Sequence, residues 1–224
     1  LNRQYAADNV LFVSTIPVEE EFSTIYIGET ESFKPYGEFY GLAETIDTDN
    51  LIRNDNAFVL MDQSHSNLSI ISVIAHETAH QWFYSLVGSD SVNQPWQDEA
   101  LCEYAALRYV EKRYGQSAFN TLRYYRADAP MMERVPGGLT PATPIDSFSS
   151  LMDYRTIVYG RGASMMLALD MFVPGGMDAF LKAYVQEYSF GIAGRESFEN
   201  SLNAYAGKDA SPLLLDYLDT KINE

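Results

Sequence analysis

Two histidines four residues apart bracket a glutamate in the segment His76-Glu77-Thr78-Ala79-His80. On a helix, positions four apart lie about 40° from each other round the axis. Both imidazoles then face one way and can share one Zn²⁺ at about 2.0–2.1 Å per Zn–N bond. Glu77 lies about 100° round from His76. It is badly placed to ligate beside them but well placed to reach a metal-bound water. That is the general-base position of metal-assisted hydrolysis.

A catalytic zinc takes three protein ligands and leaves a fourth position open. His65 is the only other histidine, and it reads as a surface residue in a polar segment. No Gly-x-x-His follows His80, so a carboxylate is the expected third ligand. Glu99 follows His80 after 18 intervening residues and opens a second helix in Pro95-Trp96-Gln97-Asp98-Glu99-Ala100. A helix, a turn and an antiparallel helix would bring it beside the two histidines. Glu103 lies one turn further on the same face. There it would accept a hydrogen bond from the outer ring nitrogen of a ligand histidine. Cys102, the single cysteine, reads as a small buried hydrophobe. Trp82 and Trp96 read as core aromatics.

The elements that must position these groups fall into two parts. Residues 1–66 are strand-rich, with short β-branched and aromatic runs at 23–27 and 57–61. Pro35, Gly37 and Gly41 break the stretch between them, and Asp47 to Asn56 reads as an acidic loop. From Asn67 or Ser69 the pattern turns helical and predicts a helix to about Val87, stopped by Gly88. Further helices are expected over 98–114, 117–127, 157–172, 176–188, 195–206 and 210–221. Residues 130–148, rich in proline and glycine, read as a long loop. The fold class is α+β, a small N-terminal β part followed by a mainly helical lobe. Zinc-binding helices are expected over 67–130 and a helical lobe over 131–224, all in one catalytic unit.

Composition narrows the partners. The chain has 224 residues, 46% of them hydrophobic and 21% charged, which suits a globular domain rather than a disordered or fibrous one. Its formal net charge is −16. Such a chain repels phosphate backbones and anionic lipid, so nucleic acid is not an expected partner. No apolar run is long enough to span a bilayer. The first residue is Leu1, and no signal peptide is read at the start. The expectation is a piece of a longer parent protein with further domains, exported or on the cell surface, with the cytoplasm as the alternative.

The stretch Val73 to Phe83 resembles the zinc helix of the M1 aminopeptidases, and Trp96-Gln97-Asp98-Glu99-Ala100 resembles the context of their third ligand. Gly88 to Trp96 is similar to the linker of bacterial members. Val158-Tyr159-Gly160-Arg161-Gly162-Ala163 is similar to the family's Tyr-x-Lys-Gly-Ala segment, with Arg161 in place of the lysine. The resemblance implies a thermolysin-like gluzincin catalytic domain with His76, His80 and Glu99 as ligands of one zinc ion per chain. It implies that the Tyr159 hydroxyl stabilises the oxyanion of a tetrahedral intermediate. It also implies that Glu38, in Tyr36-Gly37-Glu38-Phe39-Tyr40, binds the free α-amine of a peptide substrate.

The expected activity is zinc-dependent hydrolysis of peptide bonds, with removal of N-terminal residues and Glu77 as the base. Two alternatives stand beside it. One is a zinc endopeptidase without the amine clamp. The other is a non-catalytic peptide-binding module, which loss of Glu77 or Tyr159 would have marked.

Overall fold

The computed structural model describes residues 10–11, 23–29, 41–48, 52–61, 67–135 and 137–220, with the backbone alone up to residue 67. Glu38 and His65 lie outside the described residues. Four strands form the first sheet: β1 (Val10–Leu11), β2 (Ser23–Glu29), β3 (Gly41–Thr48) and β4 (Ile52–Met61). Their order is β1-β2-β4-β3, with β1–β2 and β2–β4 parallel and β3–β4 antiparallel. The acidic loop expected over Asp47 to Asn56 is replaced by the close approach of two strands, since Thr48 pairs with Ile52 and Ile46 with Asn56. Acidic residues are poor strand formers in isolation, but pairing to a partner strand outweighs that preference.

Helix α1 (Asn67–Ala79) follows and packs against β3, β4 and α2 (Trp96–Tyr114). α1 is shorter than expected. The chain leaves the regular helix after Ala79, and Gln81, Trp82 and Phe83 donate to Thr78 and Ala79 in a tight reversal. The sequence His80 to Phe83 remains apolar enough to continue a helix. Instead Trp82 and Phe83 turn inward as buried plugs, and burying two large aromatic side chains outweighs one more helical turn. A two-residue strand, β5 (Val87–Gly88), closes the turn and pairs in parallel with β6 (Gly191–Ile192).

α2 is the centre of the fold. Trp96, Ala100, Leu101, Tyr104, Ala105, Leu107 and Val110 are all fully buried. Around it lie α3 (Gln116–Arg123), a π-helical segment (Tyr124–Asp128) and α4 (Ala129–Met132). Helical structure thus runs past Pro130, which sits in the first turn of α4, where a missing N–H costs nothing. The expected long loop begins only at Glu133. It contains a 3-10 turn (Ile145–Ser147). α5 (Leu151–Tyr154) is capped by Ser150, whose hydroxyl accepts from the backbone of Met152 and Asp153. It runs through a second π segment (Arg155–Arg161) into α6 (Gly162–Phe172).

The lobe ends with α7 (Met177–Tyr188), α8 (Arg195–Ala206) and α9 (Ser211–Leu218). Asp170 fastens it to the centre, accepting from the Tyr104 hydroxyl and the Met177 backbone, both at 2.7 Å. Trp96, Phe180, Tyr184 and Phe198 form an aromatic cluster beneath the start of α2, with Phe198 edge-on to the other three. Among the described residues no single helix is long and apolar enough to cross a membrane.

Candidate metal and catalytic site

The last turn of α1 carries His76, and His80 follows directly after it. Ala75 and Ala79 are buried among these side chains, and their small size lets α1 lie close to α2. His80 is one residue past the regular helix, yet its backbone N–H still donates to the His76 carbonyl at 3.3 Å. The four-residue spacing therefore keeps its helical sense.

Glu99, in the first turn of α2, faces them. Its Oε2 lies 3.0 Å from His76 Nε2 and 3.6 Å from His80 Nε2, and the two Nε2 atoms are 3.2 Å apart. Two donors bonded at 2.0–2.1 Å to one tetrahedral ion stand about 3.3 Å from each other. The three side chains thus have the separation and the N₂O donor set of a zinc site with an open fourth position.

The outer ring nitrogens face groups of their own. His80 Nδ1 lies 3.3 Å from the Phe83 carbonyl, which can only accept, so its proton sits on Nδ1. The Cys102 sulfur is also 3.3 Å away. Cys102 is fully buried, as expected, and burial holds its thiol protonated. His76 Nδ1 lies 3.3 Å from Glu103 Oε1 as an ion-pair contact, though not in line for a regular hydrogen bond. Once neutral with the proton on Nδ1, each imidazole turns its Nε2 lone pair to the shared centre.

Charge in the cluster is tightly arranged. Burial disfavours a charged His76, but contacts with Glu103 and Glu99 hold its pKa well above the ordinary value. Burial likewise disfavours a charged His80, and Glu99 raises it. Glu99 is pushed up by burial and more than pulled back by the two histidines, so it stays ionised far below the usual carboxylate range. Glu103 follows the same pattern, with Arg126 as the first counter-charge.

Glu77 is half-buried, and among the described residues its carboxylate makes no hydrogen bond. Burial raises its pKa above 4.5 despite the attraction of His76 and His80. Tyr159 arrives from the second π segment. Its hydroxyl donates to Glu99 Oε1 at 2.7 Å, and its ring stacks on His76 with centroids 5.5 Å apart. Burial, then the charge of Glu99, raises its pKa well above 10, so it stays a neutral donor. Two glycines make this approach possible. A Cβ at Gly160 would meet Pro130 at 2.3 Å, and one at Gly162 would meet Ala100, the neighbour of Glu99, at 2.7 Å.

Six residues singled out from the sequence therefore converge: His76, Glu77, His80, Glu99, Glu103 and Tyr159. Trp82 and Trp96 are core aromatics, as expected. Sequence reasoning missed Arg126, whose Nη1 donates to Glu103 Oε1 at 2.8 Å. Nothing in the run Arg123-Tyr124-Tyr125-Arg126 singles it out. It missed Tyr154 too, which packs edge-on to Tyr159 with centroids 5.6 Å apart, although the five-residue spacing to Tyr159 suits a π-helical turn.

A family profile described as "Peptidase family M1 domain" matches residues 43–217, a span that holds the whole cluster. The chain belongs to peptidase family M1. This M1 chain is 26% identical over 171 residues to "Probable aminopeptidase 2" of Sulfurisphaera tokodaii, covering 71% of itself and 21% of that protein. It is 26% identical over 181 residues to "Aminopeptidase N" of Lactococcus lactis subsp. lactis, covering 75% and 21%. The chain therefore spans about one fifth of the length of the curated relatives it matches. In fold it is similar to native yeast LTA4 hydrolase, with a TM-score of 0.66, 16% identity, and coverage of 99% of this chain and 34% of that one. It is also similar to an M1 zinc metallopeptidase from Deinococcus radiodurans, with a TM-score of 0.61, 15% identity, and coverage of 95% and 48%.

Proposed function

We propose that this M1 chain is the thermolysin-like gluzincin catalytic domain of a zinc-dependent aminopeptidase. Residues 1–66 would form its β-rich part, 67–130 its metal-binding helices and 131–224 the lobe that carries Tyr159. The observation that carries the reading is the convergence of His76 Nε2, His80 Nε2 and Glu99 Oε2 within 3.6 Å, with the Tyr159 hydroxyl on the other oxygen of Glu99.

A zinc ion held by His76, His80 and Glu99 supplies a Lewis acid that polarises a peptide carbonyl and lowers the pKa of water. Glu77 takes the proton of the attacking water and passes it to the leaving amine. In the metal-free chain burial raises its pKa, the direction that suits a general base. Tyr159, kept neutral, donates to the carbonyl oxygen as charge develops on it. Glu103 orients His76 from behind. Glu38 is the candidate carboxylate for the free α-amine, the feature that makes N-terminal residues the substrate. The substrate is a peptide. Its chemistry is compatible with export or the cell surface as well as with the cytoplasm.

The test combines metal analysis with cleavage. Native chain and Glu77→Gln are incubated with peptides in free and N-acetylated form, and products are read by mass spectrometry. One zinc per chain and stepwise loss of N-terminal residues from free peptides, by native chain alone, is the expected result. Internal cleavage of blocked peptides would make it an endopeptidase. Absence of zinc after remetallation would overturn the reading.

A further inference from the structure

We propose that Arg126 is a positioning residue for the metal centre, clamping α1 and α2 one helical turn behind the ligands and holding Glu103 against His76. The inference rests on the metal site proposed above. Arg126 Nη1 donates to Glu103 Oε1 at 2.8 Å, and Nη2 donates to Ser72 Oγ at 3.2 Å. Ser72 Oγ in turn donates to the Ser69 carbonyl at 2.7 Å, which leaves its lone pairs to accept from the arginine.

Ser72 lies four residues before His76 on α1, and Glu103 lies four after Glu99 on α2. Each therefore shares a helix face with a ligand. One planar guanidinium spans both helices at that level. The Glu103 side chain is only 3% exposed, and among the described residues Arg126 is its only non-histidine cation. A carboxylate buried so deeply needs a charged partner to stay in place. Without Arg126 it is free to swing off His76 Nδ1, and the imidazole loses the contact that aims its Nε2. A lysine could not replace the fork, because an ammonium is a point donor.

Placement supports a role beyond a chance ion pair. Arg126 belongs to the π segment Tyr124–Asp128, and such wide turns recur at functional sites. Its carbonyl oxygen lies 3.6 Å from where a Cβ would stand on Gly160, the residue after Tyr159. The backbone of Arg126 thus borders the segment that brings Tyr159 to Glu99, while its side chain braces the histidine helix.

Zinc affinity, measured at neutral pH by competition with a chromophoric chelator, tests this without recourse to catalysis. Native chain, Arg126→Met, Arg126→Lys, Glu103→Gln and the Arg126→Met/Glu103→Gln double variant are compared. Arg108→Met is the control, since Arg108 pairs with Asp178 and Glu111 away from the site. Arg126→Met is expected to weaken zinc binding about 10–100-fold, the usual cost of losing a partner behind a ligand. Arg126→Lys should fall between it and native, which keeps the test informative should the methionine variant fold poorly. The double variant should bind no worse than the weaker single one, because both changes act through the same contact. Arg108→Met should lower the melting temperature and leave zinc affinity unchanged. Native affinity in both Arg126 variants, or full additivity with Glu103→Gln, would overturn the proposal. A native chain that binds no zinc would instead overturn the metal site itself.

Discussion

Tyr159 and His76 meet the two ends of one carboxylate: the tyrosine hydroxyl donates to Glu99 Oε1 at 2.7 Å, while His76 Nε2 lies 3.0 Å from Oε2. A single side chain on α2 therefore sets the distance between the metal-binding nitrogens and the neutral phenol. Two segments about 80 residues apart in sequence are brought into register by it.

Tyr159→Phe separates the two functions of that arrangement. The ring keeps its stack on His76, and only the hydroxyl is lost. kcat should fall about 10²–10³-fold, the loss seen on removing one oxyanion donor. KM should change little, and zinc content should stay at the native level. Steady-state kinetics alongside metal analysis reads all three. A drop confined to KM would assign the hydroxyl to substrate binding instead.

Glu77 yields a pH prediction whose sign follows from burial. A base works ionised, so kcat/KM of the zinc-loaded chain should fall as the pH drops through the pKa that Glu77 has there; in the metal-free chain burial raises that pKa above the ordinary 4.5. The same shift affects stability. A carboxyl whose folded pKa lies above its unfolded one adds stability below the unfolded value and loses it as pH rises through the folded value. Glu77→Gln should therefore melt higher than native metal-free chain at neutral pH. The gap should close below the usual carboxylate range. Thermal melts across that pH span check it.

Much of this cluster was legible because helices repeat. His76 and His80, and then Glu99 and Glu103, share faces through a four-residue spacing that needs no knowledge of the rest of the fold. Arg126 was not legible. It lies 23 residues from Glu103 and 54 from Ser72, so its contacts exist only once three helical segments have packed. The edges of elements were hidden for related reasons. α1 stops at Ala79 because Trp82 and Phe83 have a core to enter. β3 and β4 form through acidic residues because each supplies the other's backbone partners. Neither π segment carries a sequence pattern distinct from an α-helix, so the sequence predicts ordinary helix over most of both.

Metal binding should compete with protons. His76 and His80 hold protons above the ordinary histidine range, through Glu103 and Glu99. Zinc needs their neutral forms, so uptake must release protons and affinity must rise with pH through those raised values. Calorimetric titration in buffers of different ionisation enthalpy counts the protons released. Bound zinc should also raise the melting temperature, by about 2.7 kcal/mol of stability at a free concentration 100 times Kd. A chelator should reverse it. An affinity flat across pH would mean that the histidines enter the site already neutral.

Gly160→Ala tests whether the packing of the second π segment against α4 positions Tyr159. The added methyl would stand 2.3 Å from Pro130 Cβ and 2.5 Å from Pro130 Cγ, so the segments must part. Overpacking of this kind costs about 1–3 kcal/mol, and in a chain of this size each kcal/mol lowers the melting temperature by about 2–4 °C. The displacement falls on the residue beside Tyr159, so kcat should drop as well, with zinc affinity held because no ligand moves. Gly194→Ala, where a Cβ meets nothing within 4 Å, should leave stability and activity near native. If Gly160→Ala melts lower but turns over at the native rate, the hydroxyl of Tyr159 is held by its own contacts with Glu99 and His76, and the packing of Gly160 on Pro130 serves stability alone.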